Sequence, residues 1–229
     1  MKICVFADIH GNMDAFNKMY EEEKDNVELF LFAGDIFGYF YEQEAILEKF
    51  MAMEDLVAVK GNHEKYYLTG QDAEKLLDKY GSSYKLAVTE EQRKYLEKLP
   101  ENVRFRIGDK LIGVFHGGPK NFLEQRIYPD SDTEIEQLNE GYDYLILAHT
   151  HYGLLKKVGK TTVINPGSLG QPRDGKGFRY CVLDTDTGSC IFKSVTLEIK
   201  QLLENVKKKD GDKYVYHYLK NKYGREEIG

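Results

Sequence analysis

The start of the chain constrains the fold most, because a short apolar run passes directly into polar side chains that could bind a metal. Residues 2–7 read KICVFA, and residues 8–12 read DIHGN. The apolar run is typical of a strand that is buried on both faces. On an extended backbone, residues i and i+2 point in the same direction. Asp8 and His10 are therefore expected to converge on one point, and a carboxylate with an imidazole suits a divalent transition metal.

The same pattern, an apolar run that ends in polar residues, recurs at regular intervals. Asp35 lies 27 positions after Asp8, and Asn62 lies 27 positions after Asp35. This spacing fits strand–helix–strand units of about 30 residues. Parallel strands in such units deliver their carboxyl ends to one sheet edge, where open α/β sheets bind ligands. The strands are predicted over residues 28–33 and 55–60, and the helices over residues 13–24 and 42–53.

The remainder of the chain predicts more strands and several short helices. Strands are predicted over residues 102–107, 110–115, 143–148, 152–158, 161–164, 178–184 and 190–197. Helices are predicted over residues 71–79, 89–99 and 131–140, the last two with capping boxes that begin at Thr89 and Ser131. The sequence predicts one α/β domain over residues 1–198. Residues 199–229 are expected to form a helical extension that packs on this domain or trails from it.

Five of the six histidines lie at the ends of predicted strands or within four residues of them. They are His10, His63, His116, His149 and His151. Any one of them alone could be an ordinary core or surface histidine. Five coincidences at the same kind of position favour a shared site. His217, in the C-terminal extension, is expected to be solvated.

Composition excludes several classes of function. A net charge of −6 argues against a general nucleic-acid-binding protein. No apolar run approaches the ~20 residues that span a membrane, and no secretory leader is apparent at the N-terminus. The three cysteines are an odd number, which favours buried free thiols over a disulfide. We therefore expect a cytoplasmic protein.

Five motifs in this order resemble those of the calcineurin-like metallophosphoesterases. They are Asp8-Ile9-His10-Gly11-Asn12, Gly34-Asp35, Gly61-Asn62-His63-Glu64, His116-Gly117 and His149-Thr150-His151. The segments 165–168 (NPGS) and 171–175 (QPRDG) look like the small prokaryotic branch that includes bacterial phosphodiesterases. Ala148 departs from the family pattern, which has glycine before His-x-His. The resemblance implies a four-layer αββα sandwich with mixed β-sheets.

The resemblance also implies a site with two divalent transition-metal ions. Manganese is the first expectation, with iron, nickel, zinc or magnesium as alternatives. Asp8, His10 and His151 would hold one ion, Asn62, His116 and His149 the other, and Asp35 would bridge both. The implied reaction is attack on a phosphoric ester by a metal-bridging hydroxide. His63 would act as general acid, with Asp35 as an orienting partner.

The remaining expectations concern the substrate. Asn12 could contact a substrate phosphate or cap the following helix, and Arg173 could clamp a phosphate or be an ordinary loop arginine. The expected substrate is a small phosphodiester or a nucleotide. The alternatives are a phosphoprotein phosphatase and a catalytically silent scaffold for protein binding. The intact ligand set and His63 favour the enzyme. The sequence leaves open the substrate, the native metal and the oligomeric state.

Overall fold

The computed structural model describes residues 1–84, 87–138 and 141–223. Strands in these ranges form two five-stranded sheets. The strands are β1 (Lys2–Phe6), β2 (Leu29–Phe32), β3 (Leu56–Ala58), β4 (Asn102–Ile107), β5 (Lys110–Phe115), β6 (Tyr144–Ile146), β7 (Gly153–Val158), β8 (Thr161–Pro166), β9 (Phe178–Asp184) and β10 (Cys190–Val195). The helices are α1 (Met13–Glu23), α2 (Gln43–Ala52), α3 (Asn62–Thr69), α4 (Ala73–Tyr80), α5 (Glu90–Lys98), α6 (Asp132–Glu136), α7 (Ile199–Asp210) and α8 (Tyr214–Tyr223), with a 3₁₀ segment at Gly81–Tyr84.

Both sheets are mixed. In the first, the strand order is β10-β9-β1-β2-β3, with β1, β2 and β3 parallel and β9 antiparallel to both β1 and β10. In the second, the order is β4-β5-β6-β8-β7, with β5, β6 and β8 parallel and β4 and β7 antiparallel at the two edges. The parallel strands of both sheets lead into the polar motifs.

Alternating side chains of the central strands face two different cores, which explains why their sequences are apolar throughout. In β1, Val5 belongs to a cluster between the sheets together with Val114 and Ile146. Phe6 belongs to a second cluster on the outer face, together with Phe16 of α1. A third cluster covers the outer face of the second sheet and includes Ile135 of α6. The predicted αββα sandwich is confirmed.

The predicted strands are all present. For the helix predicted over residues 131–140, the capping box at Ser131 and the extent of the helix were wrong. The capping box at Thr89 is formed, because its hydroxyl accepts from the backbone N–H of Gln92 at 3.2 Å. Ser131 makes no such side-chain bond, and α6 ends at Glu136. The last two residues of the predicted helix, 139 and 140, lie outside the described residues. Helix α3 was not predicted.

The C-terminal helices pack against the outer core of the first sheet. Leu202 and Val206 of α7 and Val215 and Leu219 of α8 are buried in the cluster that contains Phe6. The end of the predicted extension, 224–229, lies outside the described residues. None of the helices in the described ranges is long and apolar enough to cross a membrane.

The side-chain environments predicted for the cysteines and for His217 can be compared with the structure. All three cysteines are free, as expected, with Cys4 and Cys181 buried and Cys190 partly exposed. His217 is exposed, as expected.

Candidate metal centre

The polar motifs meet where the parallel strands of both sheets end. Asp8 follows β1 and Asp35 follows β2, while His116 follows β5. The loops after β1 and β2 are joined by two backbone hydrogen bonds: the Asp8 N–H donates to the Gly34 carbonyl at 2.9 Å and the His10 N–H donates to the Asp35 carbonyl at 3.0 Å. The structure thus brings motifs from distant parts of the chain to one point.

The backbone that presents these side chains is left-handed, so the expected extended conformation at Asp8 and His10 was wrong. Their φ angles are 51° and 50°, and Asp35, His149 and His151 have values of 71°, 67° and 62°. A non-glycine residue in this region costs about 1–3 kcal/mol and persists only where its surroundings impose it. The strain is concentrated on five predicted metal ligands.

The first group of ligands is Asp8, His10 and His151. The Nδ1–H groups of His10 and His151 donate to the carbonyls of Phe37 and Gln171, both at 2.6 Å. Because a carbonyl can only accept, each neutral ring presents a lone pair at Nε2. The two Nε2 atoms are 3.2 Å apart.

The charge states in the first group make that arrangement unfavourable without a cation. Burial lowers the pKa of His10 to about 3 and that of His151 well below its usual value, so both rings are neutral at neutral pH. The Asp8 carboxyl group is fully buried, which raises its pKa well above the usual value, and among the described residues neither of its oxygens has a hydrogen-bond partner. Two facing lone pairs and an unpartnered carboxyl group, which would release its proton on metal binding, fit a metal ion.

The second group is Asn62, His116 and His149. His116 donates from Nδ1 to the Ala33 carbonyl at 2.8 Å, and its Nε2 lies 2.9 Å from Asn62 Oδ1. Burial would lower the pKa of His116, but the nearby Asp35 carboxylate raises it to about 9. Burial lowers the pKa of His149 to about 3. In the metal-free protein His116 therefore carries a proton on Nε2, and this proton occupies a position where a metal cation could bind instead.

Asp35 lies between the two groups. Its Oδ2 is 3.3 Å from His116 Nε2 and 3.9 Å from the Nε2 atoms of His10 and His63, while Oδ1 accepts from the His63 N–H at 2.9 Å. Burial would raise the pKa of Asp35, but His116 and His63 hold it well below its usual value. A single oxygen, Oδ2, therefore faces both groups. Ligand atoms lie within 4.8 Å of one another in each of three sets: Asp8/His10/His151, His10/Asp35/His63 and Asp35/His116/His149.

The comparison with known families agrees with this arrangement. The sequence model of the calcineurin-like phosphoesterase superfamily domain matches residues 1–188. The chain belongs to this superfamily. A relative described as uncharacterized protein MJ0912, from Methanocaldococcus jannaschii, is 29% identical over 228 residues, which covers 90% of this chain and 92% of the relative.

Two solved structures show the same fold. Hypothetical protein PH1004 from Pyrococcus horikoshii OT3 superposes with a TM-score of 0.81 at 22% identity, covering 95% of this chain and 97% of its own. A metallophosphoesterase from Sphaerobacter thermophilus has a TM-score of 0.76 at 22% identity, covering 96% of this chain and 98% of its own. At this identity the likeness establishes the fold alone.

In this member of the superfamily, Glu64 fixes the loop that carries Asp35, a role that sequence reasoning missed. Its buried carboxylate accepts from the N–H groups of Asp35 at 2.9 Å, Ile36 at 2.6 Å, Phe37 at 3.2 Å and Gly61 at 2.6 Å. It thereby joins the end of β2 to the start of α3. A signal was present in the sequence, because a glutamate three residues after a helix N-cap often bonds back to the cap.

The two predicted substrate contacts differ in their surroundings. Asn12 is 2% exposed, and its Oδ1 accepts from the Ala15 N–H at 3.1 Å, so it caps α1. Arg173 donates from Nη2 to the Tyr39 hydroxyl at 3.2 Å and lines the same cavity as His63. Only Arg173 therefore faces space that a substrate could enter.

That cavity opens directly above the ligands and has a volume of about 500 Å³. Asp35, Asn62, His149 and His151 reach it from the ligand set, as does His63. Its cationic side chains are Lys75, Lys79, Arg126 and Arg173, and Asp72 is a further acidic residue on its wall. The cationic wall contrasts with the net charge of −6 of the whole chain, and it suits an anionic substrate.

Proposed function

We propose that the protein is a dimetal phosphoesterase that hydrolyses a small phosphodiester or nucleotide-type substrate. The observation that carries the proposal is the first ligand group, where two neutral imidazoles face each other beside the unpartnered carboxylate of Asp8. Without a cation the two imidazole lone pairs face each other and the buried Asp8 carboxyl group has no hydrogen-bond partner among the described residues, whereas a divalent cation would bind all three groups. The cationic cavity supports a phosphate-bearing substrate.

Each ion would be held by one of the two groups and by Asp35. Asp8, His10 and His151 would bind the first ion, and Asn62, His116 and His149 would bind the second. Since Asp35 Oδ2 faces both groups, it is the oxygen that both ions would share. The mixed nitrogen and oxygen donors suit Mn²⁺, iron, Ni²⁺ or Zn²⁺ better than Ca²⁺. When bound, the two ions supply an activated water and neutralise charge on the phosphoryl oxygens.

The chain's own residues would bind the phosphate and move a proton. Arg126 and Arg173 lie on the cavity wall, where a guanidinium can bind two phosphoryl oxygens at once. His63 lines the cavity, and its backbone is fixed by Asp35 Oδ1. Burial lowers the pKa of His63 and the Asp35 carboxylate opposes that shift. With Asp35 3.9 Å from its Nε2, His63 would donate a proton to the leaving oxygen.

A silent protein-binding scaffold fits these observations less well. A scaffold has no need for strained backbone at five ligands or for a buried carboxylate without a hydrogen-bond partner. A phosphoprotein phosphatase must admit a protein segment to its site, whereas the cavity here has a volume of about 500 Å³ and is walled in part by α4 and α8. The cavity therefore favours a small substrate.

The test is a calorimetric titration of the metal-free protein with Mn²⁺, compared with two variants. Wild type should bind two ions per chain and hydrolyse bis(4-nitrophenyl) phosphate, with activity lost on chelation. Asp35→Asn should lower the affinity for both ions by tenfold or more. The amide keeps the Oδ1 contact to the His63 N–H, but its NH₂ group replaces the shared oxygen Oδ2. Asn62→Ala should lower the affinity mainly for one ion, and its activity should be partly restored at high Mn²⁺ concentration.

The control for this titration is His217→Gln, which removes an exposed histidine and should change nothing. Fewer than one ion per chain in metal-replete wild type would end the dimetal proposal. Loss of one ion with normal binding of the other in Asp35→Asn would show that Asp35 does not bridge.

A further inference from the structure

The C-terminal helix α8 forms part of the cavity wall although it lies outside the segment that the family model matches. The family match ends at residue 188, while Tyr214, the first residue of α8, lines the cavity together with His63. Tyr214 is 40% exposed, which leaves its ring accessible to a ligand. This part of the wall therefore lies beyond the residues that the family model matches.

Several contacts fix α7 and α8 in place. The Asp210 carboxylate, at the end of α7, accepts from the Tyr41 hydroxyl and from the Ser82 N–H, both at 2.8 Å. On α8, the Tyr218 hydroxyl and Lys222 Nζ both donate to the Pro172 carbonyl. Pro172 directly precedes the cavity residue Arg173. Helix α8 is thus tied to a loop of the site and presents Tyr214 in a defined position.

Tyr214 belongs to an aromatic and cationic cluster beside His63. Its ring centroid is 6.1 Å from those of Tyr39 and Tyr80, and the Tyr80 centroid is 5.7 Å from that of His63. Lys79 Nζ lies 4.9 Å from the Tyr80 centroid and 5.1 Å from the Tyr214 centroid. Tyr214 is therefore the exposed ring of the cluster, and the positive charge of Lys79 lies between it and the buried ring of Tyr80.

The position of this cluster relative to His63 determines which part of a substrate it would contact. If His63 protonates the leaving oxygen, the leaving group must lie next to the His63 side chain. Tyr80 lies beside His63, as do Tyr66 and Tyr39, and Tyr214 lies next to Tyr80. Aromatic side chains bind planar rings by stacking, and Lys79 adds attraction for a negative charge.

We propose that Tyr214 and Lys79 form a subsite for the leaving group, which selects a planar aromatic group that carries an additional negative charge. This inference rests on the proposed function, because it takes the phosphorus to lie at the ligand cluster. It makes the C-terminal extension a determinant of specificity.

The test measures binding of phosphonates, which are not hydrolysed, to the Mn²⁺-loaded full-length protein by calorimetry. Phenylphosphonate should bind about tenfold more tightly than methylphosphonate, since stacking of one ring is worth roughly this factor or more. Tyr214→Ala should remove that advantage and leave methylphosphonate unchanged, while Tyr214→Phe should keep it. Tyr216→Ala, on the same helix but away from the cavity lining, is the control.

A second pair of ligands measures the contribution of Lys79 to binding. The wild-type protein should bind 4-carboxyphenylphosphonate more tightly than phenylphosphonate, and Lys79→Gln should abolish that difference, with a loss of about fivefold for the carboxylated ligand. Lys208→Gln makes the same charge change on an exposed part of α7 and should have no effect. In both pairs the metal content should stay at the wild-type level.

The outcomes separate the two proposals. Equal affinity for phenyl- and methylphosphonate in metal-loaded wild type, or equal losses in Tyr214→Ala and Tyr216→Ala, would overturn the subsite alone. Absence of both metal binding and phosphodiester turnover would overturn the proposed function and the subsite with it.

Discussion

At the scale of single residues, the environment of His63 differs from that of the histidines that would bind metal. The carbonyls of Phe37 and Gln171 fix the ring nitrogens of His10 and His151, so those rings have one orientation and one tautomer. His63 lies outside the two ligand groups, and it lines the cavity with its Nε2 3.9 Å from Asp35 Oδ2. A histidine at the cavity surface beside a carboxylate is suited to exchange a proton with a substrate.

This contrast predicts the behaviour of His63→Gln. Turnover of a diester with a basic leaving group should fall by ~10²–10⁴, because the leaving oxygen loses its proton donor. The loss should be smaller for bis(4-nitrophenyl) phosphate, whose leaving group needs less protonation, and the metal content should stay near that of wild type. Steady-state rates with leaving groups of graded basicity measure the effect, with His217→Gln as the control. An equal loss across the series would exclude a role for His63 as general acid.

At the scale of elements, the strands could be predicted from the sequence because each central strand is buried on both faces. Val5 and Phe6 contact different cores, so the run remains apolar without alternation. The turn that follows β1 could not be predicted in the same way. The Asp8 carbonyl accepts from the Ser168 hydroxyl and the Gly170 N–H, both at 2.8 Å. Contacts from 160 positions away thus impose the left-handed backbone.

Helix α3 was missed for a related reason. Its residues, 62–69, carry few apolar side chains. The three buried residues, at the start of the helix, are polar and lie in the candidate metal centre, so they form no apolar helix face. The start of α3 is defined by Glu64, whose carboxylate accepts from N–H groups of the neighbouring loop. Position 61 also requires glycine, since a Cβ there would lie 2.1 Å from Asp35 Oδ1. The ligand types at the site were thus visible in the sequence, whereas their supporting contacts were not.

The role of Glu64 predicts a loss of stability in Glu64→Gln. In the variant, one side-chain oxygen remains as a hydrogen-bond acceptor and the other is replaced by an NH₂ group. This NH₂ group would lie against the backbone N–H groups that donate to the second carboxylate oxygen in the wild type. We expect a loss of about 3 kcal/mol in the free energy of unfolding and weaker binding of metal. Denaturant unfolding with excess Mn²⁺ measures the first effect. Glu204→Gln, the same change at an exposed position of α7, should be neutral; an unchanged unfolding midpoint in Glu64→Gln would contradict the anchoring role.

At the scale of the whole molecule, the protein holds a buried cluster of ionisable groups together with a cationic cavity in an acidic chain. Three of the clustered histidines, His10, His149 and His151, have pKa values that burial lowers, to about 3 for the first two. The fold therefore keeps these rings neutral at a pH where the unfolded chain would protonate them. Metal binding needs the same neutral rings, so folding and metal binding are linked to one set of protons.

This linkage predicts how the stability of the metal-free protein depends on pH. Between pH 5 and 6.5 the unfolded chain binds protons at His10, His149 and His151 that the folded chain does not, so stability should rise with pH. Asp8 opposes this trend, because burial raises its pKa well above its usual value and the folded state retains that proton. His63, whose pKa burial also lowers, adds to the gain, and Glu64, whose pKa burial raises, opposes it. The histidines outnumber the two carboxyl groups, and the net gain over this window should be on the order of 1–3 kcal/mol.

Above pH 6.5 the sign reverses for the metal-free protein. His116, with its pKa raised to about 9, keeps a proton in the folded state that the unfolded chain releases, so its contribution is lost as pH rises from 6.5 to 9. Denaturant unfolding of chelator-treated protein across pH 5–9 should therefore show a maximum near neutral pH. Saturating Mn²⁺ should replace the proton on His116 and remove the decline on the alkaline side. A metal-free profile that falls steadily from pH 5 to 6.5 would show that the buried histidines are not neutral in the folded state.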